Sequence, residues 1–322
     1  MTLLSVENLT VAFPTRQGSV NAIEDVSLQI SPGEILGMVG ESGAGKSMTG
    51  AAIIGLIEPP GKIVQGEILL EGQRIDNLHP DAMRKIRGRR IGAIFQDPLT
   101  SLNPVLTVGE QLIETIQTHL KLSRSAARER AIDWLRRVGI PAPEARIDTY
   151  PHQYSGGMRQ RVVIALALCA EPRLVIADEP TTALDVSVQA QIIALLRKLA
   201  RETGVAVILV THDIGVIAET ADRVAVMYAG RIVEIGPVAD VLNAPKHPYT
   251  SGLMAAIPRI GPRPDVLAQI EGAMPRPGAR PEGCAFAPRC PHVMAQCTSV
   301  RPLLAGSATR AVACHLTKDA AA

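Results

Sequence analysis

A glycine-rich loop between a strand-like segment and a helical segment constrains this chain more than any other feature. Residues 34–40 read EILGMVG, an apolar run typical of a buried strand. Residues 40–47 read GESGAGKS and match the phosphate-binding pattern GxxxxGK[ST]. The following segment, residues 46–57, has helical character and ends before Pro59. Strand, glycine loop and helix form the opening unit of a doubly wound α/β domain.

The chemistry of this phosphate loop predicts a nucleotide site. Its glycines let backbone N–H groups converge on phosphate oxygens, and the start of the helix adds positive potential. Lys46 is placed to reach the outer phosphates, and Ser47 to ligate Mg²⁺. A glycine-rich turn that binds nothing is disfavoured, because both flanking elements are present. The predicted loop residues are Gly40, Ser42, Gly43, Gly45, Lys46 and Ser47.

Further apolar runs predict the rest of the fold. Residues 173–178 and 205–213 are strand-like, and an amphipathic segment lies between them. Residues 3–13 and 20–30 alternate like strands, and residues 224–236 predict a hairpin that turns at Ala229 and Gly230. We therefore predict an α/β phosphate-loop NTPase core with a mainly parallel sheet and an N-terminal antiparallel β region.

The long interval between the phosphate loop and residues 173–178 predicts an inserted subdomain. Asp178 lies 132 positions after Lys46, which is far more than one crossover needs. Residues 107–139 have a helical pattern, so we expect a helical subdomain at about residues 97–160. We assign the main domain to residues 1–240. Residues 241–322 are rich in proline and cysteine and form a predicted second region, called the C-terminal appendage below.

Two acidic residues end the strand-like run of residues 174–179. At the carboxyl end of a buried strand, Asp178 can hold Mg²⁺, and Glu179 can polarise a water for in-line attack on a γ-phosphate. Alone, such a pair is usually only a strand entering solvent. Together with the phosphate loop, it predicts a site that hydrolyses a nucleoside triphosphate.

Composition and charge exclude several classes of protein. A disordered chain is excluded because 47% of the residues are hydrophobic and only 20% are charged. Thirty-three basic and 31 acidic residues give a net charge of +2, too balanced for an obligatory nucleic-acid partner. The mean hydropathy is +0.17, yet the best apolar run, residues 162–170, is far shorter than the roughly 20 residues of a spanning helix. The N-terminus lacks the pattern of a secretory signal, so we expect a cytosolic protein.

Residues 154–158 read YSGGM, just ahead of the strand-like run that ends in Asp178, and residues 183–185 read ALD just after it. These segments resemble the signature motif and the D-loop of the ABC-type ATPases, and the resemblance covers about residues 3–240. Gln96, in FQDP, stands in the place of the Q-loop glutamine, and His212, in VTHD, in that of the switch histidine. The signature departs from the family at its first and last positions, which supply no phosphate-contacting atoms.

This resemblance implies an ATP site with named roles. Lys46 would hold phosphates, Mg²⁺ would lie among Ser47, Gln96 and Asp178, and Glu179 would be the general base. Gln96 and His212 would also sense the γ-phosphate. Ser155 and Gly157 would contact the ATP of a second ATPase subunit, and Gly156 and Asp185 are further implied nucleotide-binding residues. Phe13 occupies the place of the aromatic residue that stacks on adenine, and an ordinary core role for it stays equally open.

The C-terminal appendage narrows the resemblance to one subfamily. Residues 247–250 (HPYT) and 283–291 (GCAFAPRCP) are similar to the C-terminal region of bacterial oligopeptide, dipeptide and nickel importers, and residues 95–104 are also typical of them. The resemblance implies an ATPase subunit at the cytoplasmic face of the inner membrane that powers peptide import. Its implied partners are a second, related ATPase, two permease subunits and an external substrate-binding protein, with no nucleic acid. Import of nickel or another small solute, or a non-transport ABC ATPase, are the alternatives.

Four cysteines in the C-terminal appendage predict a structural metal site. Cys284, Cys290, Cys297 and Cys314 follow the spacing C-x5-C-x6-C-x16-C in a segment with little core of its own. The spacing leaves open a Cys₄ zinc site, a [4Fe–4S] cluster or reduced thiols, and the resemblance favours the cluster. The fifth cysteine, Cys169, is predicted to be a small core residue.

Overall fold

The fold is seen in a computed structural model, which describes residues 2–16, 18–182, 184–257, 269–307 and 309–317. The strands in chain order are β1 (Leu4–Thr15), β2 (Gly18–Ile30), β3 (Ile35–Val39), β4 (Lys62–Leu70), β5 (Gln73–Arg74), β6 (Ile91–Ile94), β7 (Leu174–Asp178), β8 (Ala206–Val210), β9 (Arg223–Tyr228), β10 (Arg231–Pro237), β11 (Ala305–Gly306) and β12 (Ala311–Val312). The helices are α1 (Lys46–Ile53), α2 (Pro80–Ile86), α3 (Pro98–Ser101), α4 (Val108–His119), α5 (Arg124–Arg137), α6 (Pro143–Arg146), α7 (Gly156–Leu168), α8 (Val186–Thr203), α9 (Ile214–Thr220), α10 (Val238–Asn243), α11 (Pro248–Ala255) and α12 (Ala295–Ser299).

The chain forms two compact units. The first includes Ile30–Ile35 and Asn77–Val210, and the second includes Leu4–Gln29, Leu36–Asp76 and the described residues from Thr211 onward. Across the described ranges, no helix is both long and apolar enough to cross a membrane. The predicted division at residue 240 stays a prediction, since each unit is assembled from separated stretches of sequence.

Parallel strands β6, β7 and β8 lie side by side in the first unit. Ile91 of β6 pairs with Leu174 of β7, and Leu174 pairs with Ala206 of β8. Every residue of β8 is buried, and β7 is buried up to Asp178, which is partly exposed. Continuous apolar strands of this kind are covered on both faces. They confirm the predicted parallel sheet and deliver Asp178 to its carboxyl edge.

The helices α3 to α6 of the first unit lie within the range of the predicted insertion, whose bounds stay a prediction. Helix α4 begins with a capping box, in which the Thr107 hydroxyl accepts from the Glu110 N–H at 3.1 Å and the Glu110 carboxylate accepts from the Thr107 N–H at 2.8 Å. Helix α4 packs against α5 and α7. Trp134 of α5 is fully buried, as a core residue of these helices should be.

The second unit combines two sets of strands. An antiparallel sheet with the order β2, β1, β4, β5 confirms the predicted N-terminal β region. Strand β3 pairs in parallel with β9, and β9 forms the predicted hairpin with β10. Ala229 and Gly230, with φ of 46° and 80°, provide its tight turn. The appendage strand β12 extends this set by pairing with β10.

Helix α1 is shorter than the sequence pattern predicts. The helical character extends to Ile57, but α1 ends at Ile53. Gly55 then takes a left-handed φ of 66°, a conformation that commonly terminates helices and that glycine adopts without steric cost.

Candidate functional site

The phosphate loop, residues 40–47, belongs to the second unit and connects β3 to α1. Gly40, Gly43 and Gly45 have left-handed φ values of 151°, 79° and 104°. A side chain at Gly40 would overlap the carbonyl oxygen of Met227, so this position requires glycine. The loop therefore has a backbone that only the glycines of the motif permit.

Lys46 folds back over the phosphate loop. Its side chain is buried, and Nζ donates to the carbonyl oxygens of Gly40 at 2.8 Å and Glu41 at 3.1 Å. Ser42, Gly43 and Ser47 are exposed. The loop thus combines an ammonium group, a hydroxyl and the N-terminus of α1, an arrangement that suits a phosphate-bearing anion.

The acidic pair at the end of β7 belongs to the first unit. Glu179 has a φ of 45°, an uncommon backbone conformation for a residue other than glycine, and its N–H donates to the carbonyl of Val210 at 2.9 Å. Gln96 Nε2 donates to Glu179 Oε2 at 3.2 Å. The structure therefore brings Gln96 and Glu179 together, as expected of residues that share one site.

Thr182 is a site residue that our sequence reasoning missed. Its hydroxyl donates to Glu179 Oε2 at 2.9 Å, the same carboxylate oxygen that accepts from Gln96. The only signal in the sequence is a hydroxyl side chain three positions after the acidic pair. Two donors on one oxygen fix the orientation of the Glu179 carboxylate.

The signature segment of the first unit starts helix α7. Ser155 is the N-cap, and its hydroxyl accepts from the Met158 N–H at 3.3 Å, while Gly156 is the first helical residue. Ser155 and Gly156 are exposed. Tyr154, where the sequence departs from the signature, is buried and donates its hydroxyl to the Arg146 carbonyl at 2.7 Å. The tyrosine anchors the segment and leaves its polar end open.

The remaining predicted nucleotide contacts are distributed over both units. Gly157 follows in the first turn of α7, and Asp185 is an exposed N-cap of α8. Ala183, in the predicted D-loop, lies outside the described residues. In the second unit, His212 follows the end of β8 by two positions and is exposed. Phe13 is partly exposed and packs on Gly61, which leaves both its stacking and its core interpretation open.

The four appendage cysteines lie near one another in the second unit. The Cys284 N–H donates to the Cys297 carbonyl at 2.8 Å. Burial raises the pKa of the Cys314 thiol above its usual range, and the other three cysteines raise it further. Even so, no group of three or more His, Cys, Asp or Glu in the described ranges is arranged to hold a metal ion. The thiols as placed do not fit a zinc or iron–sulfur site.

Cys169 lies apart from these cysteines, in the first unit. It is fully buried, and burial raises the pKa of its thiol to about 12. Its Sγ contacts the Leu166 carbonyl at 3.3 Å. A protonated, enclosed thiol confirms the prediction of a small core residue.

Comparison with protein families and known proteins gives matches along nearly the whole chain. A family described as "ABC transporter" matches residues 23–182, and one described as "Oligopeptide/dipeptide transporter, C-terminal region" matches residues 233–297. The dipeptide transport ATP-binding protein DppD of Bacillus subtilis is 51% identical, over 93% of this chain and 90% of that protein. The protein of the same name from Haemophilus influenzae is 45% identical, over 98% and 96% of the two chains. A putative peptide import ATP-binding protein of Brucella abortus is 47% identical, over 97% and 94%.

Solved structures of similar fold agree with these matches. The ATP-binding cassette MJ0796, seen as a dimer in a post-hydrolysis state bound to ADP and Pi, is 32% identical with a TM-score of 0.65. It aligns with 73% of this chain and 98% of its own. The cbiO1 protein of Clostridium perfringens, part of the transporter complex cbiONQ, is 31% identical with a TM-score of 0.66 over 76% and 91% of the two chains.

Proposed function

Because this chain belongs to the ABC transporter family of ATP-binding proteins, we propose that its ATP hydrolysis powers the import of peptides through a membrane transporter. One observation carries this proposal: a single chain joins the phosphate loop and acidic pair of an ATPase to the C-terminal region of oligopeptide and dipeptide transporters. Relatives named as dipeptide transport and peptide import ATP-binding proteins support the peptide substrate.

At the ATP site, each predicted residue has a chemical role. The loop N–H groups and Lys46 bind the phosphates, and His212 senses the γ-phosphate. The hydroxyl of Ser47, the amide of Gln96 and the carboxylate of Asp178 supply the oxygen ligands that Mg²⁺ prefers. The metal, when bound, neutralises charge on the phosphate oxygens. Phe13 offers a face for adenine stacking.

Glu179 polarises the water that attacks the γ-phosphate. Its carboxylate accepts hydrogen bonds from Gln96 and Thr182, so its orientation is set before a nucleotide arrives. Gln96 donates to the base through its amide N–H, and its amide oxygen would be the atom that holds Mg²⁺ and senses the γ-phosphate. As the water oxygen bonds to the γ-phosphorus, the bond to the β-phosphate oxygen breaks, the water proton passes to Glu179, and ADP and phosphate are the products.

The chain works with partner subunits. The exposed polar end of α7, with Ser155 and Gly156, offers N–H groups and a hydroxyl to the ATP of a second, related ATPase subunit, together with Gly157 and Asp185. Two permease subunits and an external substrate-binding protein complete the transporter. The chain lies at the cytoplasmic face of the inner membrane in this proposal, and the likeness to dipeptide transport ATP-binding proteins supports that location.

The cysteines of the C-terminal appendage have no role in the ATP hydrolysis described above. The sequence resemblance favours a [4Fe–4S] cluster, with zinc as the alternative, whereas the thiols as placed do not fit either site. Metal binding by Cys284, Cys290, Cys297 and Cys314 therefore stays a prediction from sequence, and no part of the mechanism depends on it.

The ATPase assignment is tested with Glu179→Gln. Loss of the carboxylate should lower the ATP hydrolysis rate at least about a hundredfold, the usual contribution of a general base, and leave ATP binding intact. Glu202→Gln is the matched control, since it makes the same change at an exposed residue of α8. Hydrolysis by the Glu179→Gln protein at the wild-type rate would refute the role of the base.

The transport assignment is tested on the tagged chain isolated from membranes of its source cell. We expect two permease proteins and a second ATPase to co-purify, and dipeptides with their binding protein to stimulate ATP hydrolysis by the complex. Stimulation by Ni²⁺ but not by dipeptides would favour the nickel importer. Ribosomes or DNA in place of membrane proteins would overturn the transport function.

A further inference from the structure

Tyr249 of the C-terminal appendage reaches the phosphate loop. Its side chain is fully buried, and its hydroxyl oxygen accepts a hydrogen bond from the backbone N–H of Glu41 at 2.9 Å. Glu41 is the second residue of the phosphate loop, so the appendage holds the loop by its main chain. The HPY sequence motif that contains Tyr249 has no part in the mechanism above.

The surroundings of Tyr249 hold its ring in place. His247 is the N-cap of α11, and its Nδ1 accepts from the Tyr249 N–H at 3.0 Å. The Tyr249 ring packs against Tyr228 and Phe286, with ring centroids 4.6 Å and 5.4 Å away. The buried Glu234 carboxylate accepts from the His247 N–H at 3.0 Å. The hydroxyl of Tyr249 is therefore supported by packed rings and by a capped helix.

Arg289 holds the side chain of the same loop residue. Its Nη1 donates to both carboxylate oxygens of Glu41, at 3.0 Å and 3.2 Å, and only 6% of the arginine side chain is exposed. The other guanidinium nitrogens donate to the carbonyl oxygens of Ile270 and Glu271, at 3.1 Å and 2.8 Å. An arginine with acceptors on all sides is pre-organised, so it holds Glu41 without a large loss of side-chain entropy.

Met274 adds a third contact from the C-terminal appendage. Its sulfur accepts from the Ala229 N–H at 3.3 Å. The terminal methyl lies where it would be 3.3 Å from a Cβ placed on Gly43 of the phosphate loop. The appendage thus contacts the loop at residues 41 and 43, through the main chain and the side chain of Glu41 and through packing beside Gly43.

We propose that the C-terminal appendage sets the ATP affinity of the phosphate loop through two positioning residues, Tyr249 and Arg289. This inference rests on the proposed function for the identity of the ligand. The Glu41 carboxylate lies in a loop that receives a polyanion, so its negative charge opposes binding unless a cation neutralises it. Arg289 supplies that charge from a buried position, where screening by salt is weak. Tyr249 fixes the backbone from which neighbouring N–H groups point at the phosphates.

A double-mutant cycle between Arg289 and Glu41 tests the inference, with the dissociation constant of the Mg²⁺ complex of AMPPNP, a non-hydrolysable ATP analogue, as readout. Arg289→Met should weaken binding about tenfold, because the partly exposed carboxylate of Glu41 is left without its cation in the loop that receives the phosphates. In the Glu41→Gln background the same change should weaken binding less than about threefold. A purely structural role of Arg289 predicts the same loss in both backgrounds. Tyr249→Phe should weaken binding roughly fivefold in otherwise wild-type protein.

Arg301→Met is the matched control for a lost appendage arginine. Arg301 pairs with Glu24 at 3.1 Å and Asp25 at 2.8 Å, and neither partner belongs to the phosphate loop. This variant should bind the analogue as wild type does, and thermal unfolding shows whether each variant is folded. Unchanged binding by Arg289→Met and Tyr249→Phe, or equal losses in both backgrounds, would overturn the inference alone. Wild-type protein that binds no analogue would overturn the proposed function and this inference with it.

Discussion

Acidification should destabilise the second unit through one buried histidine. His247 is 1% exposed, and burial lowers the pKa of its imidazole from 6.5 to about 4. Its Nδ1 accepts the Tyr249 N–H, which requires this nitrogen to carry no proton. Protonation at this position would therefore place an uncompensated charge in the core and break the cap of α11.

The direction and size of this effect follow from the two pKa values. Between pH 6.5 and pH 4 the unfolded chain binds a proton at residue 247 and the folded chain does not, so stability rises with pH in this window. The contribution is fully present above pH 6.5 and is lost as the pH falls towards 4. At about 1.36 kcal/mol for each pH unit, the full loss of unfolding free energy is about 3 kcal/mol, and about 2 kcal/mol of it has been lost at pH 5.

Urea unfolding of wild type and of His247→Asn, measured between pH 7.5 and pH 5, isolates this histidine. Asparagine keeps a capping acceptor but does not titrate, and the other acidic and basic groups are common to both proteins. The difference in unfolding free energy should shift by about 2 kcal/mol against the wild type on going from pH 7.5 to pH 5. Parallel pH profiles would refute the reasoning, because they would mean that His247 titrates alike in both states.

Two further predictions concern the core of the first unit and the appendage cysteines. Trp134→Ala should lower the unfolding free energy by about 3–5 kcal/mol in urea titrations, because the ring is buried and the Arg137 guanidinium carbon lies 4.2 Å from its centroid. Trp134→Phe should lower the unfolding free energy by less, and equal losses for the two variants would contradict a packing role. Metal binding by the four appendage cysteines predicts stoichiometric iron with acid-labile sulfide, or stoichiometric zinc, in anaerobically purified wild type and a loss of that metal in Cys290→Ala. Metal-free wild-type protein would contradict the prediction.

The elements that the sequence predicts correctly are those whose residue pattern matches their position in the fold. The run before Gly40 could be assigned as a buried strand because residues 35–39 carry no polar side chain. The turn at Ala229 and Gly230 could be assigned because a tight turn requires residues that tolerate a positive φ. The end of α1 was missed, since the residues beyond Ile53 keep a helix-compatible composition and Gly55 alone breaks the helix.

The site was predictable as a list of residues and less so as a set of contacts. Motif spacing identifies Gln96 and Glu179 but not that they share a hydrogen bond, because 83 residues separate them. Thr182 was missed because a hydroxyl beside an acidic pair is too common to carry a signal alone. The Glu41 contacts could not be inferred either, since no periodicity connects a loop to an arginine in a distant proline-rich segment.

The contacts at Glu41 can form only late in the synthesis of the chain. Tyr249 and Arg289 lie 208 and 248 residues after Glu41, so a ribosome completes the phosphate loop long before it makes either of them. A nascent chain shorter than 249 residues carries the whole loop with its Glu41 held by neither residue. We expect full nucleotide affinity to arise only after residue 289 has left the exit tunnel, and stalled chains of increasing length would reveal when it does. The order of synthesis then makes full ATP affinity one of the last properties that the growing polypeptide acquires.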